Sequence, residues 1–204
     1  MDFFRRAGGE PRSLGILAGT FNPPTRAHLA LATAALNAID EVTFVLPRTF
    51  PHKRYEGAGF EDRARMLVRA AAGEPRFSVA ATQGGLFAEI ARECRAAYAP
   101  DVRLLFLCGS DAAERIVNWN YGRPDAFAGQ LREFELLVAD RHGRYIPPPE
   151  YRARIHPLPL PEDLAGVSAT EVRDRIARGE DWRALVPEAI AAEVARLYHR
   201  KEEP

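Results

Sequence analysis

A threonine and a histidine three residues apart, Thr25 and His28, end the decapeptide Gly19-Thr20-Phe21-Asn22-Pro23-Pro24-Thr25-Arg26-Ala27-His28. An apolar run, Leu14–Ala18, leads into it, and residues at helical spacing (Leu29, Ala32, Leu36, Ile39) follow it. Gly19 lets the backbone turn and come close to a ligand, while Pro23 and Pro24 stop the strand. Thr25 is a natural N-cap, which places His28 in the first helical turn. The unpaired N–H groups there and the positive end of the helix dipole suit a phosphate, and His28 can donate to an oxygen gathering charge. Alone, the two residues would read as a cap and a surface histidine; at a strand end within this decapeptide, a functional reading is favoured. Gly19 lacks partner glycines at G-x-G-x-x-G spacing, so the dinucleotide fingerprint is absent.

A second anion site is legible in Val167-Ser168-Ala169-Thr170-Glu171-Val172-Arg173. Ser168 and Glu171 read as a capping box, which leaves Thr170 and Arg173 unexplained. Helical side chains lean toward the N-terminus, so Arg173 arches back over the turn that Ser168 caps. Between these segments, Pro47-Arg48-Thr49-Phe50-Pro51-His52-Lys53-Arg54 puts His, Lys and Arg after a strand, either as a phosphate clamp or as an exposed basic loop. Lys53 and Lys201 are the only lysines among 28 basic residues. Gly109-Ser110-Asp111 is a strand-to-helix turn in which Asp111 either accepts from a ribose or caps its helix. Trp119, in polar surroundings, offers an indole face for a flat ring. Arg63 and Met66, taken alone, read as helix surface and helix core.

The elements that must position these residues alternate. Apolar runs at Leu14–Ala18, Val42–Leu46, Phe77–Ala80, Leu104–Cys108 and Leu136–Ala139, with a weaker one near Ile155–Leu160, are separated by helical patterns at 29–39, 60–71 and 88–98. Continuous apolar strands separated by helices predict an α/β, doubly wound, Rossmann-like parallel sheet covered on both faces. Ligands of such sheets bind beyond the carboxyl ends of the strands, where the first decapeptide lies. From about Pro161 only helices follow, with Pro187 suiting a first helical position. The expected layout is a flexible leader over 1–13, a nucleotide-binding α/β domain over 14–160, and a small C-terminal helical subdomain over 161–204 that carries the second phosphate motif.

Composition bounds the function. With 204 residues, 47% hydrophobic and 27% charged, the chain reads as a soluble globular protein. Its 28 basic and 28 acidic residues cancel, which argues against nucleic-acid or membrane partners and makes any anion site local. Cys94 and Cys108 form neither a disulfide framework nor a metal cluster. No apolar stretch approaches membrane-spanning length, and the cytoplasm is the expected compartment. Self-association into a homo-oligomer stays open.

The decapeptide resembles the G-x-F-x-P-[H/T]-x-G-H signature of the nucleotidyltransferase superfamily, with Thr25 at the commoner first histidine and Ala27 at the usual glycine. Ser168–Arg173 resembles its I-S-S-T-x-x-R motif, and the segment from Arg178 to Pro187 is similar to the tail of bacterial nicotinate-nucleotide adenylyltransferases. The P-x-H-K loop at Lys53, the G-[AS]-D segment at Gly109–Asp111 and an R-x-G turn at Arg141 continue the likeness. The resemblance implies transfer of AMP from ATP to a mononucleotide phosphate with release of pyrophosphate, in pyridine nucleotide (NAD) biosynthesis, with Mg²⁺ accompanying ATP and no protein metal site. It implies catalytic roles for His28, Thr25, Lys53 and Arg173. It implies ATP-binding roles for Gly19, Thr20, Phe21, Gly109, Asp111, Ser168 and Thr170, and acceptor contacts at Trp119, Arg141 and Glu89. Nicotinate mononucleotide is the leading acceptor. One stretch departs: Thr82-Gln83-Gly84-Gly85-Leu86-Phe87-Ala88-Glu89 stands where the family holds the pyridine carboxylate, and Glu89 would repel that carboxylate if it pointed inward. Nicotinamide mononucleotide as acceptor, CTP in place of ATP, and a nucleotide sensor without turnover remain alternatives.

Overall fold

Seven strands form one sheet among the described residues, which are 1–49, 57–119, 122, 126–139, 145–160, 164 and 166–198 of the computed structural model. They are β1 (Asp2–Arg5), β2 (Ser13–Ala18), β3 (Glu41–Pro47), β4 (Phe77–Thr82), β5 (Arg103–Gly109), β6 (Glu135–Ala139) and β7 (Ile155–Leu158). Helices α1 (Arg26–Ala35), α2 (Phe60–Ala71), α3 (Phe87–Ala97), α4 (Ser110–Val117) and α5 (Ala126–Gln130) lie between them, and α6 (Ala169–Arg178) and α7 (Glu188–Tyr198) follow. The strand order is β1-β4-β3-β2-β5-β6-β7, with β2 to β7 parallel. The chain builds outward from β2 through β3 to β4, then crosses to β5 and builds outward on the other side. The order therefore reverses between β2 and β5, where such sheets open a crevice at their carboxyl edge.

The pleat sends successive residues to opposite faces. From β2, Leu14 and Ile16 pack with Ile90, Leu104 and Phe106, while Leu17 packs with Leu31, Phe44 and Leu67. Helices α1 and α2 thus cover one face and α3 and α4 the other, as the apolar runs predicted. A third cluster joins Met66 of α2 to Val172, Ile176, Trp182, Ile190 and Val194, so the C-terminal helices share a core with the sheet domain. Glu193 of α7, almost wholly buried, receives Arg65 at 2.7 Å and lies 3.5 Å from Arg69, fixing α7 along α2. Cys94 and Cys108 are buried free thiols, and burial pushes both up to about 12. No described helix is long and apolar enough to cross a membrane.

The leader expected to be flexible is instead an edge strand. Residues Asp2–Arg5 pair antiparallel with β4, and Phe3 meets the Tyr98 ring edge-on at 5.7 Å while Arg6 lies over both rings. Without it β4 would present a row of unpaired backbone groups, which accounts for the pairing. Two smaller expectations also shift. Pro187 stands one residue ahead of α7, its carbonyl accepting from Ile190 N–H. Ser168 accepts from Glu171 N–H at 3.1 Å, but the Glu171 carboxylate turns to Arg175 at 2.6 Å, so only half of the capping box forms.

At the amino edge of the sheet, Glu135 takes both Arg103 donors, at 2.6 and 3.0 Å, and His156 Nε2 at 2.5 Å. Burial alone would raise the Glu135 carboxyl; the hydrogen bonds and charges of Arg103 and His156 outweigh it and hold the group below the ordinary carboxylate value. A carboxyl lowered in the folded state stabilises the fold above its unfolded pKa and loses that contribution as pH falls through the folded one. Glu135→Ala should cost roughly 1–3 kcal/mol at neutral pH, discounted because Arg103 and Arg154, which lies 3.4 Å from Glu135, are both half exposed. In denaturant melts the gap to wild type should narrow as pH drops below the carboxylate range; a pH-independent gap would contradict this account.

Candidate active site

The turn after β2 is held in a conformation that few side chains adopt. Phe21 has φ 47°, in the left-handed region, yet its ring is buried beneath Gly19 and packs edge-on against Phe44 and His28. Burying an aromatic ring of this size outweighs strain of about 1–3 kcal/mol. Two guanidinium groups hold the backbone of the same turn. Arg63 donates to the Thr20 carbonyl at 2.7 Å, and Arg173 donates to the Asn22 carbonyl at 2.6 Å.

Thr25 ends the turn as the N-cap of α1, with extended dihedrals of −122° and 164°. It is fully buried. Nδ1 of His28 accepts from the Thr25 N–H at 3.0 Å and lies 2.7 Å from Thr25 Oγ1. An accepting Nδ1 leaves the proton of the neutral ring on Nε2, the far side of the imidazole. Thr25 lines the cavity and its polar atoms meet Nδ1, so it holds the orientation of the His28 ring.

The second motif arrives at the same place. Ser168 caps α6, and Arg173 folds back over that cap as expected, donating to Ala169 O at 3.1 Å and meeting Thr170 Oγ1 at 3.3 Å besides its bond to Asn22. A cavity of about 100 Å³ is lined by Thr25, Ala27 and His28 from the first motif, Ser168 and Ala169 from the second, and Gly109 from the end of β5. Two helix starts nearly 145 residues apart thus open on one small space beside the β2–β5 crevice. A larger cleft of about 560 Å³, lined by Arg26, Leu29, Arg183 and Pro187, includes neither His28 nor the α6 start, so its size does not make it the site.

The remaining candidates divide. Gly109 is the N-cap of α4 and lines the cavity, which leaves Asp111 exposed inside the first turn rather than capping it. Trp119 is 57% exposed, beyond the end of α4, so it is not a core residue. Glu89 accepts from Leu86 N–H at 3.1 Å and folds against Gly84, where even a Cβ would collide with its carboxylate. It is thereby spent on the start of α3. Lys53 and Arg141 lie outside the described residues. Among the described residues no group of three His, Cys, Asp or Glu side chains is arranged for a metal ion, and the cavity lining contains no carboxylate.

Arg63 overturns its expectation: at 5% exposure it is buried, not helix surface, whereas Met66 is core. The signal was in the spacing, since Phe60, Arg63 and Leu67 fall on one stripe of α2. Asn22 and Tyr198 were not singled out either. The Tyr198 hydroxyl donates to Asn22 Oδ1, and burial first of all raises its pKa. Tyr198 continues the Ile190–Val194 stripe of α7.

Comparison with known proteins agrees with this geometry. The chain is 32% identical over 197 residues to a probable nicotinate-nucleotide adenylyltransferase of Moorella thermoacetica, covering 88% of each chain. It is 34% identical over 190 residues to one of Anaeromyxobacter dehalogenans, covering 88% of this chain and 91% of that one. Its fold is like that of the Plasmodium falciparum nicotinic acid mononucleotide adenylyltransferase complexed with NaAD, with a TM-score of 0.70 over 94% of this chain and 99% of that chain at 17% identity. A cytidylyltransferase-like family model matches residues 16–175. That span runs from the middle of β2 to the second turn of α6 and so contains both helix starts that meet at the cavity: the chain belongs to the cytidylyltransferase-like family.

Proposed function

We propose that this protein transfers AMP from Mg-ATP to the phosphate of nicotinate mononucleotide, releasing pyrophosphate and forming nicotinate adenine dinucleotide in the cytoplasm. The observation that carries the reading is the shared cavity, where His28 and the capped start of α6 face one space. The relatives named for this activity, alike over most of their length, support it. In the reaction an oxygen of the acceptor phosphate attacks the α-phosphorus in line, and the bond from that phosphorus to the bridging oxygen of pyrophosphate breaks. Such a transfer needs placement and charge stabilisation rather than covalent participation. The cavity is much smaller than the roughly 300–1,000 Å³ of a whole-ligand pocket, so it suits part of the triphosphate while the nucleoside lies along the open carboxyl edge.

The roles follow from chemistry. His28 Nε2–H donates to an α-phosphate oxygen as charge builds there, and Thr25 keeps the ring in that orientation. Backbone N–H groups of α1 and α6, with Thr20 and Ser168, receive the remaining phosphate oxygens. Arg173, and Lys53 by its motif, balance the leaving pyrophosphate. Mg²⁺ enters as part of the substrate, held by phosphate and water, because the lining side chains supply hydroxyls and an imidazole rather than the oxygen-anion set that a resident Mg²⁺ needs. Trp119 and Arg141 are assigned to the acceptor. The Glu89 carboxylate beside the start of α3 favours testing nicotinamide mononucleotide beside nicotinate mononucleotide.

Pyrophosphate release, measured with each nucleoside triphosphate and a panel of phosphorylated acceptors, decides the matter. ATP with nicotinate mononucleotide should give the highest kcat/KM, and His28→Ala should lower kcat by about 10²- to 10⁴-fold. Binding of ATP without release would establish a sensor and end the proposal. The orientation of His28 has a separate check: ¹⁵N NMR of the neutral ring should show the Nε2–H tautomer, and Thr25→Val should relax that preference. An Nδ1–H ring in the wild type would remove the donor this mechanism needs.

A further inference from the structure

We infer that Tyr198, in the last turn of α7, is a positioning residue for the nucleotide loop; the inference rests on the reading above that the turn after β2 holds the triphosphate. Tyr198 lies 176 positions from the residue it bonds, Asn22, which is itself only 5% exposed. Its hydroxyl donates to Asn22 Oδ1 and lies beside the backbone N–H of Ala58. The Ala58 carbonyl in turn accepts from Arg63 Nε at 3.2 Å, and the other end of that guanidinium donates to Thr20 O at 2.7 Å. The chain from Thr20 to Asn22 closes the circuit.

Each member of this circuit has little freedom to move. Gly57, ahead of Ala58, has φ +117°, and a Cβ there would come within 2.9 Å of Asn22 Oδ1 and 3.3 Å of the Tyr198 ring. The backbone packs as closely against the Asn22–Tyr198 pair as a glycine allows. Phe21 holds its left-handed backbone between the two clamped carbonyls. Removing the hydroxyl takes away the bond that ties Asn22 Oδ1 to α7. The turn that leads into Thr25 and His28 then relaxes. The consequence falls on the triphosphate, since the residue that Tyr198 bonds, Asn22, belongs to the turn after β2.

Tyr198→Phe removes one oxygen and keeps the ring that packs on α2. Calorimetric titration with Mg-ATP should show affinity weakened about 5- to 30-fold, while KM for nicotinate mononucleotide stays within about twofold and Tm within a few degrees. Gly57→Ala, which presses on the same two side chains, should reproduce the selective loss for ATP. Wild-type ATP affinity in Tyr198→Phe overturns the inference, and so does a proportional weakening of both substrates tracking a fall in Tm, which marks a general structural role. A wild-type protein that binds Mg-ATP and transfers nothing defeats the proposed reaction, and the ATP titrations still judge Tyr198. A wild-type protein that binds no Mg-ATP defeats both.

Discussion

The Arg173–Asn22 contact joins the two halves of the candidate site, and much else in the structure is arranged around it. Two helix N-termini, each carrying the equivalent of roughly half a positive charge, open on one cavity, and Arg173 of the second helix bonds the turn that leads into the first. Nothing intrinsic to α1 and α6 favours bringing like-signed ends together. Carbonyl oxygens supply the compensation: the Arg173 guanidinium rests on those of Asn22 and Ala169. A polyanion entering the cavity meets a field already assembled. Because the chain's formal net charge is zero, that field is local and not a property of the whole surface.

Holding the Asn22 carbonyl where Arg173 can reach it requires an unusual turn, and the protein stabilises that turn from below and from the side. The Phe21 ring fills the space under Gly19, and Arg63 anchors Thr20. The third hydrophobic cluster matters for the same reason. Met66 and Trp182 lock α2 to the C-terminal helices, so Arg63, Arg173 and Tyr198 approach the turn from elements fixed to one another. A site built from loops alone would be less well placed than one whose clamps stand on packed helices.

The sheet was legible because its strands are buried on both faces and read as unbroken apolar runs; β3 is buried along all seven residues. Strand order was not, since apolar runs carry no record of which neighbour each one pairs with. β1 escaped because four half-exposed residues among arginines carry almost no periodic signal, and its pairing is decided by the open edge of β4. In the site, local chemistry was readable and distant chemistry was not. The Thr25 cap, the Ser168 cap and the backward lean of Arg173 follow from helix rules. That Arg63 is buried depends on the Thr20 and Ala58 carbonyls waiting for it, and the use of Tyr198 depends on how α7 crosses α2. Helical spacing put both residues on inward stripes, but the charge of Arg63 favoured a surface reading, and Tyr198 carried no motif to single it out.

The two edges of the sheet separate structural charge from chemical charge. At the amino edge, Glu135 is saturated by Arg103 and His156, and buried Glu41 accepts from Ser78 at 2.6 Å and from Tyr98, whose hydroxyl also meets Thr43. These carboxylates are buried against their partners at the edge opposite the cavity, so they tie neighbouring strands together. At the carboxyl edge the arrangement is reversed: the groups gathered there are donors and hydroxyls, and the cavity lining offers no carboxylate to compete for them. Buried acids are costly wherever they sit. Concentrating them where partners are supplied by the strands themselves leaves the opposite end with an excess of donors, which is the condition that a triphosphate with its own metal ion would satisfy.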